Sequence, residues 1–256
     1  WYPDRRRAAG VTAIGTGAVK PLYNFWKRML LKWAYRKADK VIAVSNNTKK
    51  EILKIIPELK IEVINHGVDY EKFQSFESSH SPVSKPYILS VGAWKKRKGF
   101  DFSIQAFERI KNQFSDLKYV IVGNPPEEIK KKHDRVVFLQ NLSEKDLIAL
   151  YKNAELFILL PQDVEKDIEG FGLVFLEAAA CGLPVVATRE TSAEDAVRDR
   201  QNGILVPTGN YEKAAEAMEK ILKDDSLKQS FSSGSLKLAK EMSWEKAAHE
   251  YLKIYQ

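Results

Sequence analysis

Between residues 87 and 206, short and continuously apolar runs alternate with amphipathic stretches of helical period. The apolar runs are YILSVG (87–92), KYVIVG (118–123), RVVFL (135–139), ELFILL (155–160), PVVAT (184–188) and GILV (203–206). Helical patterns accompany most of them, at about 100–113, 144–153, 173–181 and 210–223. Strands that lack polar alternation are typical of a parallel sheet covered on both faces. We therefore predict an α/β domain with a doubly wound parallel sheet.

The N-terminal part of the chain has a different pattern. Residues 1–20 have no clear period and are predicted to form a loop. Apolar residues at helical spacing then predict an amphipathic helix within 22–38; they are Leu22, Phe25, Trp26, Met29, Leu30, Trp33 and Ala34. Its aromatic side suits a place in the core, and its basic side suits a solvated face. The alternative is that the basic side rests on anionic lipid at a membrane surface.

Three shorter elements are predicted to follow that helix. The run KVIAVS (40–45) reads as a strand. Thr48 and Glu51 have the spacing of a capping box, which predicts a helix that starts there and that Pro57 ends. Residues 60–69 read as a strand followed by a turn.

A polar stretch rich in Ser and Pro, SFESSHSPVSKP (75–86), predicts a domain boundary. We therefore divide the chain into a first domain of residues 1–80, a second domain of residues 81–240 and a C-terminal segment of residues 241–256. That segment carries one more amphipathic pattern, SWEKAAHEYLKIYQ (243–256), and is predicted to be helical.

The composition of the chain is that of a soluble α/β protein, since 44% of its 256 residues are hydrophobic and 29% are charged. It contains no run of about 18 uncharged apolar residues, so no transmembrane helix is predicted. The single Cys181 excludes an internal disulfide and a cysteine-based metal cluster, which fits a reducing compartment. We expect a cytoplasmic protein, held at the inner face of the membrane if the 22–38 helix contacts lipid.

The net charge of +7 is unevenly distributed. Residues 1–85 hold 16 basic and 8 acidic residues, a net charge of +8, whereas residues 86–256 hold 25 and 26, a net charge of −1. The domain with the candidate ligand sites is therefore near neutral, and we do not expect a nucleic-acid partner. No G-x-G-x-x-G follows a predicted strand, which argues against a nicotinamide dehydrogenase.

The first candidate site is the loop SVGAWKKRKGFD (90–101). In an open parallel sheet, ligands bind beyond the carboxyl ends of the strands. The predicted strand ends at Gly92, and the loop after it carries four cations, Lys95, Lys96, Arg97 and Lys98. Cations in that place suit a phosphate group. The alternative is a solvated basic loop.

The second candidate site is the start of EGFGLVFLEAAACGLPVVAT (169–188). Glycines at two positions permit close backbone approach, and the N–H groups of Phe171, Gly172 and Leu173 are expected to point out of a helix N-terminus. Such a terminus binds anions. Glu169 precedes the helix, where it also suits the helix dipole. Glu177 lies among Leu, Val, Phe and Ala residues, so its carboxylate needs a hydrogen-bond partner at the ligand site.

The stretch EGFGLVFLE resembles the E-x7-E motif of retaining glycosyltransferases of the GT-B family 4. Eight further stretches resemble that family in its order and spacing. They are VIAVSNNTKKEI, VINHGVD, SVGAWKKRKGFDFSIQAF, YVIVG, DLIALYKNAELFILLP, CGLPVVAT, NGILVP and SWEKAAHEYL. The resemblance covers about residues 38–256.

This resemblance implies two Rossmann-like domains that face each other across a cleft. Residues 1–80 would be the end of the acceptor-side domain, residues 81–240 the nucleotide-sugar domain, and residues 241–256 a helix that crosses back. The implied activity is that of a retaining hexosyltransferase, which moves a sugar from a UDP- or GDP-sugar to a glycan or lipid-linked acceptor. No cofactor or metal is expected, because cations cover the phosphates and the sequence has no Asp-x-Asp pair.

The resemblance also implies roles for single residues. Glu177 would accept hydrogen bonds from the ribose, Glu169 would contact the transferred sugar, and Lys98 would neutralise the diphosphate. Glu169 and Lys98 would thus be catalytic. The other residues predicted to bind the donor are Gly92, Arg97, Phe171, Gly172 and Leu173.

Three departures from the family pattern qualify these expectations. Many relatives have Arg after the glycine of the basic loop, where this chain has Ala93, and Arg97 is the expected replacement. The family's Gly-Gly-x-x-Glu loop reads TSAED (191–195) here. The family's glycine loop and histidine would lie before residue 1, so this chain alone is not expected to transfer sugar.

A GT-B sugar-nucleotide epimerase or phosphorylase is the alternative with the same fold. His66, in NHGVD, is expected to serve the geometry of a turn.

Overall fold

The computed structural model describes residues 11–14, 25–76, 81–162, 164 and 167–255. The strands in this part of the chain form two parallel sheets, one of three strands and one of six. Parallel strands cannot be joined by tight turns, so each connection crosses over the sheet, and most of these crossovers contain a helix.

The three-stranded sheet has the order β1-β2-β3, with β1 at Val11–Ile14, β2 at Lys40–Ala43 and β3 at Ile61–Val63. The helices of this part are α1 (Phe25–Lys37), α2 (Asn46–Ile55) and α3 (Tyr70–Ser75). Its small core is made of buried side chains from both helices and strands: Tyr35, Val41, Ala43, Ile52, Ile56, Ile61 and, from far along the chain, Ile168.

The six-stranded sheet is built from β4 (Tyr87–Val91), β5 (Lys118–Val122), β6 (Val136–Leu139), β7 (Phe157–Ile158), β8 (Val185–Thr188) and β9 (Gly203–Val206). Its order is β6-β5-β4-β7-β8-β9, and every pairing is parallel. The chain adds strands on one side of β4 and then on the other. The carboxyl ends of β4 and β7 therefore meet at the switch point where such sheets bind ligands.

The helices that follow α3 are α4 (Phe100–Ile110), α5 (Glu127–Lys130), α6 (Glu144–Asn153), α7 (Leu173–Ala180), α8 (Tyr211–Lys223), α9 (Asp225–Glu241) and α10 (Trp244–Tyr255). Helix α4 packs against α8, and α7 packs against α9. The crossovers through α4 and α7 run in opposite directions from the centre of the sheet. Because such crossovers are right-handed, these two helices cover opposite faces.

This architecture confirms the predicted α/β class with a doubly wound parallel sheet. The six strands predicted between residues 87 and 206 are present, each with bounds within two residues of the prediction. The domain bounds at residues 80 and 240 stay a prediction. The final helix reaches residues before the linker, since Val68 N donates to Met242 O at 2.9 Å and the His66 ring lies 5.5 Å from that of Trp244.

Two predictions about local structure are wrong. Residues 1–20 are not all loop, because β1 forms at Val11–Ile14 and pairs with β2; the remainder of that range lies outside the described residues. A strand of four residues is too short to show a period. Helix α2 is capped by Ser45, whose side chain accepts from Thr48 N, and not by Thr48. Ser and Thr are both favoured as N-cap residues, but the helix begins at Asn46, directly after Ser45. Glu51 contacts Lys54 in place of a cap N–H.

Helix α9 was not predicted. Its segment FSSGS (231–235) contains three serines and a glycine, residues that weaken a helical pattern. Burial of Phe231 and Leu238 against the rest of the domain holds this helix in place. Tertiary packing therefore outweighs the low intrinsic propensity.

The core position predicted for the aromatic side of helix α1 is also wrong. Five large apolar residues of that side are exposed, each by more than half: Phe25, Trp26, Met29, Leu30 and Trp33. The opposite side of the helix faces the small core through Tyr35, with Leu31 and Ala38 beside it. A helix packs only one of its sides against a sheet. In α1 that side is the one with Tyr35, so the aromatic side is left exposed.

Candidate active site

The basic loop after β4 turns two of its cations, Arg97 and Lys98, towards the protein. Residues Lys96–Lys98 form a single 3-10 turn. Lys98 is only 7% exposed, whereas Lys95 and Lys96 are exposed. Gly92 lies directly beside this lysine, since a Cβ atom at Gly92 would be in ordinary van der Waals contact with Lys98 Cε at 3.4 Å. The four predicted cations thus divide into two solvated lysines and two side chains that face the protein.

Glycine 172 sets the start of helix α7. It has a φ of +80°, in the left-handed region that favours glycine, and it is the N-terminal cap residue. The helix begins at Leu173. In the described part of the chain, the backbone N–H groups of Leu173 and Val174 have no acceptor. The predicted helix N-terminus is therefore present, and its binding of an anion stays a prediction. The Phe171 side chain is buried in the core.

Lys98, Arg97 and Glu169 form a buried cluster between these two segments. Lys98 Nζ lies 3.0 Å and Arg97 Nε 3.3 Å from Glu169 Oε2, and each of the three side chains is at most 12% exposed. Arg97 Nη1 is 3.8 Å from the more exposed Asp167 Oδ2. Two cations thus converge on one nearly buried carboxylate, and such side chains can bind an anionic ligand through charge-assisted hydrogen bonds.

Several polar atoms of this cluster lack a hydrogen bond within the described residues. They are Arg97 Nε, Arg97 Nη1 and Glu169 Oε2, all buried. The short N–O distances make these contacts ion pairs, but their angles do not meet hydrogen-bond geometry. Buried N–H groups without an acceptor are costly, so a ligand that accepts from them gains binding energy. The N–H groups on Arg97 Nε and Nη1 can therefore donate hydrogen bonds to a bound ligand.

Glu177 has the partner that its buried position required. The Tyr151 hydroxyl, on helix α6, donates to Glu177 Oε2 at 2.8 Å. Burial raises the pKa of Glu177 above the usual carboxyl range, and the Tyr151 bond and the charges of Lys72 and Lys98 oppose that shift. Burial also raises the pKa of Tyr151 well above its ordinary value. Sequence reasoning missed Tyr151; the signal was a hydroxyl inside the apolar run LIALY (147–151).

A cavity of about 370 Å³ opens beside Glu177. Apolar side chains line much of it: Val68, Phe73, Leu147, Ile148, Leu173 and Trp244. The charged side chains on its wall are Asp69, Lys72, Glu144 and Glu177, and Lys72 forms an ion pair with Glu144. An apolar cavity with a few polar groups is the form of a small-molecule site.

The TSAED loop (191–195), where the chain departs from the family pattern, connects the two sheets. The Asp195 carboxylate accepts from Asn46 N at 3.0 and 3.2 Å, from Asn46 Nδ2 at 2.6 Å and from Asn65 Nδ2 at 3.2 Å. Asn46 is the first residue of α2, so the carboxylate also lies at the positive end of that helix. Ser192 Oγ is buried without a hydrogen bond in the described part of the chain.

His66 does more than shape a turn, because its ring packs edge to face on Phe171 with 5.4 Å between centroids. Burial lowers the pKa of His66, which favours the neutral ring at pH 7. The Thr48 hydroxyl donates to Gly170 O at 3.2 Å. Residues before the linker thus support the glycine-rich segment of the site, which sequence reasoning did not foresee.

In the described residues, no group of three or more His, Cys, Asp and Glu side chains lies in an arrangement that could hold a metal ion. Among the same residues, no helix has the length and apolar character needed to cross a bilayer.

Solved structures share the GT-B fold of this chain. Sucrose-phosphate synthase from Thermosynechococcus elongatus superposes with a TM-score of 0.73 at 21% identity, covering 96% of this chain and 66% of that one. HepE from Anabaena, in complex with UDP, gives a TM-score of 0.77 at 20% identity, covering 96% of this chain and 71% of that one. These likenesses confirm the predicted GT-B fold.

The chain belongs to the glycosyl transferases group 1 family, whose model matches residues 71–237. Residues 12–72 match the model Glycosyltransferase Family 4. The capsular polysaccharide biosynthesis glycosyltransferase CapM of Staphylococcus aureus is 27% identical over 94% of this chain and 68% of that protein. A GDP-mannose-dependent phosphatidylinositol monomannoside mannosyltransferase of Mycolicibacterium smegmatis is 27% identical over 73% of this chain and 54% of that protein. This chain spans between half and about two thirds of such relatives.

Proposed function

We propose that this chain is the donor-binding part of a retaining glycosyltransferase that uses a UDP- or GDP-sugar. The observation that carries the proposal is the buried Arg97–Lys98–Glu169 cluster beside the N-terminus of α7. It lies where β4 and β7 end, at the switch point of the sheet. The mannosyltransferase of Mycolicibacterium smegmatis is GDP-mannose-dependent, and HepE is solved in complex with UDP, which supports the same ligand class here.

In this proposal the diphosphate of the donor binds Lys98, Arg97 and the first N–H groups of α7. Cleavage of the bond between sugar and phosphate leaves negative charge on the diphosphate. Fixed N–H groups and two partly desolvated cations stabilise that charge without having to reorganise. Arg97 gains acceptors for its buried N–H groups in the same step.

The two glutamates then have separate roles. Glu169 lies 3.0 Å from Lys98 Nζ, so a sugar attached to the phosphates would be next to its carboxylate, which can stabilise positive character on the ring. Glu177 would accept hydrogen bonds from the ribose through Oε1, since Tyr151 occupies Oε2. Attack of the acceptor hydroxyl on the face that the phosphate leaves would retain the configuration, with a phosphate oxygen as base.

Binding of free nucleotides tests this proposal directly. Calorimetry with UDP and GDP, beside NAD and duplex DNA, should give saturable binding only for one or both diphosphates. At 100 times Kd the fold should gain about 2.7 kcal/mol of stability. Lys98→Ala should weaken the binding, and Lys96→Ala, on the same loop but exposed, is the matched control. Failure of both diphosphates at millimolar concentration to bind the folded protein would contradict the proposal.

Transfer itself requires the full-length protein and a panel of nucleotide sugars with glycan and lipid-linked acceptors. A glycosyltransferase releases the diphosphate only when an acceptor is present, apart from slow hydrolysis. An epimerase would convert one nucleotide sugar into another without an acceptor, and a phosphorylase would need inorganic phosphate. Product analysis by mass spectrometry and proton NMR gives the donor, the linkage and the configuration.

We also propose that helix α1 contacts an anionic membrane surface. Trp26 and Trp33, 79% and 61% exposed, lie on its outer side. The cations Arg28, Lys32 and Arg36 lie on one flank of that apolar side, and Arg36 is paired with Glu58. An exposed apolar side next to cations is the pattern of an interfacial helix. The charge of +8 in residues 1–85 complements an anionic lipid, so a bilayer is the occupant to which we commit.

Flotation with vesicles tests the membrane contact. The protein should bind vesicles with 30% anionic lipid and not zwitterionic vesicles, and Trp26→Ser with Trp33→Ser should abolish the binding. Leu252→Ser, at another exposed apolar residue, is the control and should leave it unchanged. Binding that is equal for both vesicle types, or absent from both in the full-length protein, would contradict the contact.

A further inference from the structure

A second cavity lies along the outer edge of the six-stranded sheet. It has a volume of about 500 Å³ and is separate in its lining residues from the cavity beside Glu177. Strand β9, helix α8 and helix α9 form its walls. Its apolar lining consists of Ile204, Leu205, Val206, Pro207, Ala217, Leu227 and Phe231. A cavity of about 300–1,000 Å³ with an apolar floor can hold a small molecule.

The rim of this cavity is strongly basic. Four cations border it, Arg189, Arg200, Lys213 and Lys220, against one carboxylate, Glu216. Lys213 is paired with Glu216 at 2.6 Å, and Arg189 is paired with Asp199 at 2.7 Å. Arg200 and Lys220 have no ion pair or hydrogen bond from their side chains within the described ranges. Two of the four cations that line the cavity are therefore available to a ligand.

Strand β9 is at the edge of the sheet, but two of its outward backbone groups are already bonded. Arg200 N donates to Gly203 O at 2.8 Å, and Leu205 N donates to Asp199 Oδ1 at 2.9 Å. Pro207 follows the strand and has no N–H group. A peptide strand added here would therefore find few free donors and acceptors. The cavity suits a small ligand better than an extended peptide.

We infer that this cavity binds a single-chain anionic amphiphile, with its carboxylate or phosphate group at Arg200 and Lys220 and its alkyl chain on the apolar floor. Both parts follow from the lining: charge-assisted bonds hold the head group, and burial of methylene groups holds the chain. The site does not depend on the nucleotide-sugar reaction, since none of the residues assigned to the donor lines it.

Calorimetry with dodecanoate, below its micelle concentration, tests the inference. One molecule should bind per chain, and dodecyltrimethylammonium, with the same chain length and a cationic head, should bind at least tenfold more weakly. Ala217→Trp, which fills the floor, should abolish dodecanoate binding. The double substitution Arg200→Glu and Lys220→Glu should weaken it at least tenfold. Lys237→Glu, exposed on α9 but outside the lining, is the control for reversal of a single charge and should have no effect.

If Ala217→Trp does not fold, the double variant of Arg200 and Lys220 and its control Lys237→Glu still test the inference. Equal binding of the two amphiphiles, unchanged affinity in the double charge variant, or no saturable binding would each overturn the inference. A dimer that forms with rising protein concentration and that the double charge variant abolishes, with no dodecanoate bound, would assign this surface to a second copy of the chain and would also overturn it. UDP or GDP binding in the same variants reports on the donor site separately.

Discussion

The Tyr151 hydroxyl donates a hydrogen bond to Glu177 Oε2 across 2.8 Å and so joins helices α6 and α7 beside the candidate nucleotide cavity. Without this bond the carboxylate would lie in an apolar wall with little compensation. The bond offsets only part of the cost, because burial still raises the pKa of Glu177. The charged Glu177 carboxylate therefore lowers the stability of the fold, as functional groups in binding sites commonly do.

Replacement of Glu177 by Gln should stabilise the fold at pH 7. Because the folded protein holds the Glu177 proton more tightly than the unfolded chain does, stability falls as pH rises above the ordinary carboxyl pKa of about 4.3 and through the raised folded value. Gln keeps an acceptor for Tyr151 and carries no charge.

Thermal unfolding from pH 4 to pH 8 measures this effect. The melting temperature of Glu177→Gln should exceed that of the unsubstituted protein at pH 7, and the difference should shrink towards pH 4. Glu128→Gln, at an exposed position, is the control and should show no such trend. The same Glu177 variant should bind UDP or GDP more weakly. A difference that stays constant with pH would contradict the argument.

Replacement of Lys98 by Ala should weaken binding of the free nucleoside diphosphate about tenfold to a hundredfold, because a charge-assisted bond contributes roughly 1.5–3 kcal/mol. The nucleoside monophosphate should lose less. Lys96→Ala should leave both affinities unchanged, since Lys96 is exposed. Titration calorimetry on the two variants measures these affinities. If both variants lost the same affinity for the diphosphate, the loss would come from the overall charge of the loop and not from Lys98 in particular.

Replacement of Glu169 by Gln should separate binding from transfer. The free diphosphate should bind no more weakly than before, because the substitution removes the carboxylate that pairs with Lys98. Turnover of the full-length enzyme should fall by one to several orders of magnitude, at about 1.4 kcal/mol per factor of ten. Kinetics and calorimetry on the same variant are the measurements. Full activity in Glu169→Gln would show that this glutamate does not act on the sugar.

Replacement of Asp195 by Ala should destabilise the fold by about 1–3 kcal/mol, because it removes a charged acceptor from Asn46 and Asn65. Hydrogen exchange at the Asn46 amide should quicken, since that N–H donates to the carboxylate. Glu194→Ala, at the exposed neighbouring position, should change neither quantity. Urea unfolding and exchange mass spectrometry provide the two readouts, and unchanged exchange in Asp195→Ala would contradict the contact.

Donor binding and transfer should not require magnesium, because Lys98 and Arg97 can neutralise the phosphates. Activity of the full-length enzyme, assayed with EDTA and then with added magnesium, checks this expectation. Loss with EDTA and recovery with magnesium would show that a metal ion takes part.

The local sequence determined the larger sheet and the positions of the candidate site. Continuous apolar runs predicted strands β4 to β9, because a strand buried on both faces needs apolar residues throughout. The motif EGFGLVFLE located a carboxylate before a helix and another within it. Strand β1 and helix α9 were missed, since four residues show no period and the serines of FSSGS weaken a helical one.

Only the tertiary structure decided which groups meet. Lys98 and Glu169 are 71 positions apart, yet their side chains lie 3.0 Å from each other because β4 and β7 are neighbours in the sheet. The hydrogen bonds from Tyr151 to Glu177 and from Asn46 to Asp195 likewise form because the fold places distant segments side by side. The exposed aromatic side of α1 also could not be read from its periodicity, which shows that a helix has two sides but not which one the core covers. Sequence patterns report local burial, whereas a site depends on contacts between distant segments.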